Sequence, residues 1–175
     1  MPQINNTHAI RFLVMDVDGT LTDGKIYMGQ TGELFKAFDI RDGFAIKEML
    51  PELGIVPVII TARESDIVAN RAKELGITEL HQGCHDKICL LKKILQQYSE
   101  KCGQNYGLQH IAYIGDDLLD LQCIEPVREA GGITACPADA ANEVKQAVNY
   151  VCERHGGAGA IREIVELLGK HRNHV

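Results

Sequence analysis

The sequence has no basic tract and no basic repeat: 18 Lys and Arg stand against 24 Asp and Glu, a formal charge of -6. That balance argues against a general binder of nucleic acid or of anionic membranes, which requires a positive surface. No apolar run approaches the ~20 residues of a membrane span. The opening stretch "MPQINNTHAIR" lacks the apolar region of a signal peptide, so a cytoplasmic protein is expected. The six cysteines (Cys84, Cys89, Cys102, Cys123, Cys136 and Cys152) contain no CxxC pair. Without an export signal they are expected to be reduced, mostly as small core residues. In "HQGCHDKIC", His81, Cys84, His85 and Cys89 resemble half of a zinc site, but no second half follows, and a surface loop entering a helix is the expected reading. Internal repeats, low-complexity tracts and linkers are also missing. Residues 1–175 are therefore read as one domain, long enough to bury a core.

What the chain does have is alternation. "RFLVMDV" and "IVPVIITA" are short, continuous apolar runs, as expected of strands covered on both faces. "KIYMGQTGELFKAF" reads as a hairpin around Gly29 and Gly32, spanning about 24–38. "DGFAIKEMLPELG" reads as a helix disturbed by Pro51, and "SDIVANRAKELG" as a helix capped by Ser65 and stopped by Gly76. The strands "ITELHQG", "HIAYIGDD", "GITACP" and "NYVCE" alternate with the helices "DKICLLKKILQQYSEKCG", "LLDLQCIEPVREAG", "ADAANEVKQAV" and "GAIREIVELLGKH". This order predicts an α/β fold, a doubly wound parallel sheet of Rossmann type with a projecting hairpin. Ligands of such sheets bind beyond the carboxyl ends of the strands. Asp16 with Asp18, Thr61, and Asp116 with Asp117 all fall at such ends.

Asp16 and Asp18 are two residues apart on a strand that alternates its faces, so both carboxylates point to one small volume and repel. A cation between them resolves the conflict. Carboxylates from two strand ends suit magnesium, which prefers oxygen ligands and leaves room for a substrate phosphate oxygen. Asp16 and Asp116 would ligate through side chains and Asp18 through its carbonyl, which frees the Asp18 carboxyl for proton transfer. A carboxylate attacking phosphorus gives an aspartyl-phosphate that water then splits. Thr61, at a strand end, and Lys87, at a helix start, are suitable types to hold the phosphoryl group.

"DVDGTLTDG", "ITAR", Lys87 and "GDDLLD" resemble the four ordered motifs of the haloacid dehalogenase superfamily of phosphatases, over essentially the whole chain. Ala62 stands where many relatives carry glycine, and Arg63 is kept. The resemblance implies Asp16 as nucleophile and Asp18 as general acid and then base. It also implies Thr61 and Lys87 on the phosphoryl group, magnesium on Asp16, Asp18 and Asp116, and Asp117 and Asp120 as supporting acids.

Members of that superfamily often insert a cap domain after the first or second motif. Neither interval has room for one here, so the substrate is large or a second subunit walls the site. The hairpin's Ile26, Tyr27, Met28, Leu34, Phe35 and Phe38 exceed what a short projection can bury, which favours a symmetric oligomer. "TDGKIYMGQTGELFKAFDIRDGFAIK", "ITARESDIVANRAKELGI" and "GGAGAIRE" further resemble the capless, tetrameric 3-deoxy-D-manno-octulosonate 8-phosphate phosphatases of lipopolysaccharide precursor synthesis. That resemblance implies substrate contacts from Asp39, Ile40, Arg41, Asp42, Gly43, Lys47, Arg63, Arg71 and Lys87, besides Asp18. Forked arginine hydrogen bonds suit a ligand carrying both carboxylate and phosphate. The tail, about 155–175, is expected to be a flexible glycine-rich arm reaching a neighbouring site. A phosphatase for a nine-carbon sugar acid phosphate shares these motifs and remains the alternative. A phospho-receiver module is disfavoured because no Asp ends "IVPVIITA", and a non-catalytic scaffold need not keep Asp16, Asp18, Thr61, Lys87 and Asp116 together.

Overall fold

Phe12–Met15 (β1) are buried on both faces, and their side chains divide by the period of two. Leu13 and Met15 enter one hydrophobic layer, while Phe12 and Val14 enter the other. The computed structural model describes residues 7–170; the last five residues of the expected tail, 171–175, and the first six of the chain lie outside the described residues. After β1 come the hairpin strands Tyr27–Gly29 (β2) and Gly32–Phe35 (β3). The helix Ile40–Phe44 (α1) runs through a π-helical turn, Ala45–Met49, into Leu50–Glu52 (α2). Then follow Val56–Ile60 (β4), Asp66–Leu75 (α3), Glu79–His81 (β5), Lys87–Cys102 (α4) and Ile111–Ile114 (β6). Leu121–Glu129 (α5), Ile133–Cys136 (β7), Asn142–Ala147 (α6), Tyr150–Val151 (β8) and Ala160–Lys170 (α7) complete the order.

The main sheet is parallel in every pairing, in the order β5-β4-β1-β6-β7-β8. β1 lies in its middle, with Phe12 opposite Val56 on one side and Ile111 on the other. One covering layer comes from the α1–α2 segment, α3 and α7, through residues such as Ile46, Val68 and Ile164. The other comes from α4, α5 and α6, through Leu91, Ile124 and Val144. Between β1 and β4 stand only the hairpin and the α1–α2 segment, and between β4 and α4 only α3 and β5. No cap domain interrupts the described fold, and no described helix is long and apolar enough to cross a membrane.

Local chemistry accounts for the departures from the expected elements. Pro51 does not end its helix. It has no N–H to give four residues back, and the backbone widens just before it, where the Leu50 N–H reaches the Ala45 carbonyl. Ser65 occupies the N-cap position of α3 without capping it; its hydroxyl turns away to Glu33 at 2.6 Å. The helix expected over "ADAANEVKQAV" is confined to α6, because the Ala141 N–H is spent on the Asp116 carbonyl (2.9 Å), tying that loop to the end of β6. Cys123, Cys136 and Cys152 are core residues, but Cys89 and Cys102 are exposed and Cys84 is half-buried. All six are free thiols.

The tail corrects the sequence expectation most. α7 is a core helix whose Ile161, Ile164, Val165 and Leu168 are buried. The glycines before it form a close backbone contact within the same chain. A Cβ on Gly156 would lie 1.9 Å from the Gly19 carbonyl oxygen, and the Gly157 N–H donates to the Thr20 carbonyl at 3.1 Å. The segment up to residue 170 is thus packed on its own chain rather than a flexible arm.

Candidate active site

The turn after β1 is built to bring carboxylates together. The N–H groups of Thr20, Leu21 and Thr22 all bond the Val17 carbonyl, closing a tight turn. Gly19 sits within it at φ +94, where a Cβ would stand 2.0 Å from Asp116 Oδ2. Glycine alone permits both the left-handed backbone and the approach of Asp116. Asp16, at the end of β1, is 7% exposed. Asp116 follows β6, and the Thr20 hydroxyl donates to its Oδ1 at 3.0 Å. Oxygens of Asp16, Asp116 and Asp120 lie within 4.8 Å of one another.

Lys87 answers part of this negative charge. It begins α4 after Asp86, whose carboxylate accepts the Cys89 N–H as a helix cap. Its buried Nζ donates to Asp16 Oδ1 and to Asp120 Oδ1, both at 2.7 Å. Asp120 is saturated: Oδ1 also accepts the Tyr113 hydroxyl (2.7 Å), and Oδ2 accepts the Asp116 and Asp117 N–H groups (3.1 and 3.3 Å). Asp120 therefore holds Lys87 and the β6 turn in place. Burial first, then the charge of Asp120, pushes Asp16 up to about 7 despite the pull of Lys87. Burial and Asp16 push Asp116 up to about 7 as well. Two acids so strained toward neutrality, with oxygen donors only and a glycine cleared beside them, fit a hard divalent cation.

Asp18, two residues on, faces a different neighbourhood. It is half-exposed and paired with Lys36 of the hairpin and, at 3.6 Å, with Arg63 Nε. Glu33 receives Lys36 Nζ at 3.0 Å and Arg63 at 3.4 Å. Thr61 is buried immediately after β4. The structure thus gathers Asp16, Asp116, Asp120 and Lys87, and sets Asp18 with Arg63. Asp117 instead turns outward at the surface, where its carboxylate caps the 3-10 turn Leu118–Asp120.

The remaining expected contacts form a second group. Asp39 caps α1 and is forked by Arg41, whose Nη2 also donates to the Ala158 carbonyl at 2.9 Å. Asp42 is buried and accepts the Arg162 and Gly159 N–H groups (2.7 and 3.3 Å), fixing the start of α7. Burial pushes its carboxyl up to about 6. Ile40 and Lys47 are exposed. Arg71 lies over the Phe38 ring, pairs with Glu74 at 2.8 Å, and borders with Lys36 and Ile40 a groove of about 520 Å³. Phe38 packs on the chain's own core, whereas Ile26, Met28, Leu34 and Phe35 are exposed and Tyr27 stacks on Phe35 at 4.3 Å.

Sequence reasoning missed Lys36, Glu33, Thr20 and Tyr113. Thr20 and Tyr113 sit inside or beside the motifs and were legible as polar groups on buried runs. Lys36 carried one faint signal, a lysine enclosed by Leu34, Phe35 and Phe38.

No family model matches the chain. The 3-deoxy-D-manno-octulosonate 8-phosphate phosphatase of Escherichia coli strain K12 is 40% identical over 159 residues, which cover 91% of this chain and 79% of that protein. The crystal structure of the Yersinia pestis 3-deoxy-D-manno-octulosonate 8-phosphate phosphatase superposes with a TM-score of 0.86 at 38% identity, covering 97% of this chain and 86% of that one. The Moraxella catarrhalis phosphatase of the same name, solved with magnesium, phosphate and KDO, gives a TM-score of 0.84 at 36% identity, covering 97% and 91%.

Proposed function

Because the chain belongs to the 3-deoxy-D-manno-octulosonate 8-phosphate phosphatase family of the haloacid dehalogenase superfamily, we infer that it is a magnesium-dependent phosphoric monoester hydrolase. Its substrate is that eight-carbon sugar acid phosphate, and its products are the free sugar acid and phosphate. The observation that carries the reading is the buried set of Asp16, Lys87, Asp120 and Asp116 at the ends of β1 and β6.

Asp16 acts as the nucleophile. Lys87 engages its Oδ1 and leaves the other oxygen to attack phosphorus, forming an aspartyl-phosphate as the ester oxygen departs. Asp18 gives its proton to that departing alkoxide. It then takes a proton from the water that attacks the aspartyl-phosphate, which frees phosphate and restores Asp16. Thr61 and Lys87 hold phosphoryl oxygens by a hydroxyl and a cation. Magnesium, when held by Asp16, Asp116 and the Asp18 carbonyl, neutralises charge on the phosphoryl group. Arg63, Arg71, Lys47 and the segment Asp39–Gly43 would contact the sugar acid, whose carboxylate suits a guanidinium fork.

The exposed apolar hairpin side chains support assembly as a homotetramer through the hairpins. We read the chain as one phosphatase domain acting in the cytoplasm in lipopolysaccharide precursor synthesis. A phosphate-release assay across eight- and nine-carbon keto-deoxy sugar acid phosphates tests the substrate. Preferred turnover of the eight-carbon ester is expected, and preferred turnover of the nine-carbon ester would overturn the assignment.

A further inference from the structure

Lys36 is a buried cation with no part in the motifs. Its side chain is 1% exposed, although it sits on a projecting hairpin whose neighbours Leu34 and Phe35 face solvent. A lysine is buried so completely only when charge partners replace its water. Two do: Asp18, in direct contact, and Glu33, three residues earlier on β3, at 3.0 Å. Glu33 is itself fastened. Its Oε2 accepts the Ser65 hydroxyl at 2.6 Å, and its Oε1 meets Arg63 at 3.4 Å. The Ser65 N–H is bound in turn by Gln82 Oε1 at 2.8 Å. A continuous chain of contacts therefore runs from Asp18 through Lys36 and Glu33 to the start of α3. Arg63 Nε, 3.6 Å away on the other carboxylate oxygen, is the looser partner, being 43% exposed.

We propose that Lys36 is a positioning residue that sets the Asp18 carboxyl for its proton transfer, and that Glu33 fixes Lys36 by tying the hairpin to the start of α3. This rests on the reading of Asp18 as the general acid. A carboxyl on a turn, partly open to solvent, can rotate about its side-chain bonds unless one oxygen is held. Lys36 holds one oxygen on the hairpin side, and the other, faced at 3.6 Å by the exposed and looser Arg63, is the one that would turn to the ester oxygen. Proton transfer depends on that placement to within a fraction of an ångström. The hairpin is then part of the catalytic geometry, as well as an apolar surface.

The test compares two leaving groups. A sugar alkoxide needs a proton to depart, whereas p-nitrophenolate leaves without one. The two kcat/KM values, which report the step that phosphorylates the enzyme, are measured for wild type, Lys36→Met, Lys36→Arg and Glu33→Gln. Lys36→Met is expected to lower kcat/KM for the sugar phosphate by about 100-fold, the scale of a misplaced general acid, and for p-nitrophenyl phosphate by about tenfold or less. Lys36→Arg should recover part of the loss, and Glu33→Gln should show the same imbalance in weaker form. In an Asp18→Asn background, Lys36→Met should add no further loss on the sugar phosphate. Equal losses on both substrates, or a fully additive double variant, would overturn the proposal. Should Lys36→Met not fold, Glu33→Gln decides: an unchanged ratio of the two substrates refutes the coupling. An Asp18→Asn variant that spares the sugar phosphate would instead refute the general-acid reading itself.

Discussion

Two lysines, Lys87 and Lys36, each stand buried between a pair of carboxylates, and they hold the two aspartates of one strand end. Lys87 joins Asp16 and Asp120, whose side chains are 10% and 2% exposed; Lys36 joins Asp18 and Glu33, at 19% and 14%. The first pair is held by the sheet, through β1, β6 and the N-terminus of α4. The second is held by a two-stranded hairpin that stands off it. Under the proposed mechanism, the difference separates a nucleophile that must not move from a proton carrier that must meet two partners in turn, the leaving alkoxide and the incoming water.

Removing one lysine at a time breaks the comparison most directly. Lys87→Met leaves Asp16 and Asp120 as buried, unpaired acids and should cost about 3–5 kcal/mol of stability with loss of turnover. Lys36→Met should cost less, about 1–2 kcal/mol, because its partners retain access to water. Chemical denaturation measures both, and equal costs would show that the two sites are equally closed. Asp42, which bonds neither lysine, offers a control: Asp42→Ala frees two N–H groups at the start of α7 and should cost about 2 kcal/mol. A change within about 0.5 kcal/mol in the same measurement would show that α7 does not depend on that contact.

A smaller effect separates the regions by pH. Asp16 and Asp116 rise to about 7 and Asp42 to about 6, against an ordinary value of 3.8. The folded, metal-free chain thus binds more protons than the unfolded chain between those limits. It should lose stability as pH climbs from about 4 through about 7, lowering Tm by several degrees. Saturating magnesium should remove most of that decline by occupying the acids. A metal-free Tm that rises over this range would contradict the shifts. The smallest expected change in monomer stability, about 1 kcal/mol, belongs to replacing Tyr27 and Phe35 with aspartate, which removes their stack and sets two carboxylates across the hairpin from each other. The same variant should dissociate the proposed tetramer in sedimentation, and an unchanged oligomer would exclude the hairpin as its contact.

The contrast also explains what was legible in the sequence. The sheet was, because β1, β4 and β6 are buried on both faces and leave unbroken apolar runs. Asp16, Asp116 and Asp120 were legible because they sit just past β1 and β6, and Lys87 because it opens a helix at the place of the third ordered motif. The hairpin strands could be read, but the roles of Glu33 and Lys36 could not: Ser65 lies 32 residues after Glu33, Asp18 lies 18 residues before Lys36, and no local period links them. The glycines at 156 and 157 suggested mobility from composition, whereas their cause is a close backbone approach to Gly19 and Thr22. Ser65 had the right type for a helix cap and a better acceptor in Glu33.

The account turns on Asp16 as the residue that accepts the phosphoryl group. The direct measurement is mass spectrometry of the acid-quenched enzyme after brief exposure to 3-deoxy-D-manno-octulosonate 8-phosphate with magnesium, followed by digestion. A single phosphoryl increment is expected on the peptide carrying Asp16, absent from Asp16→Asn, which should also release no phosphate. A phosphoryl group on another residue, or phosphate release by Asp16→Asn at the wild-type rate, would contradict it.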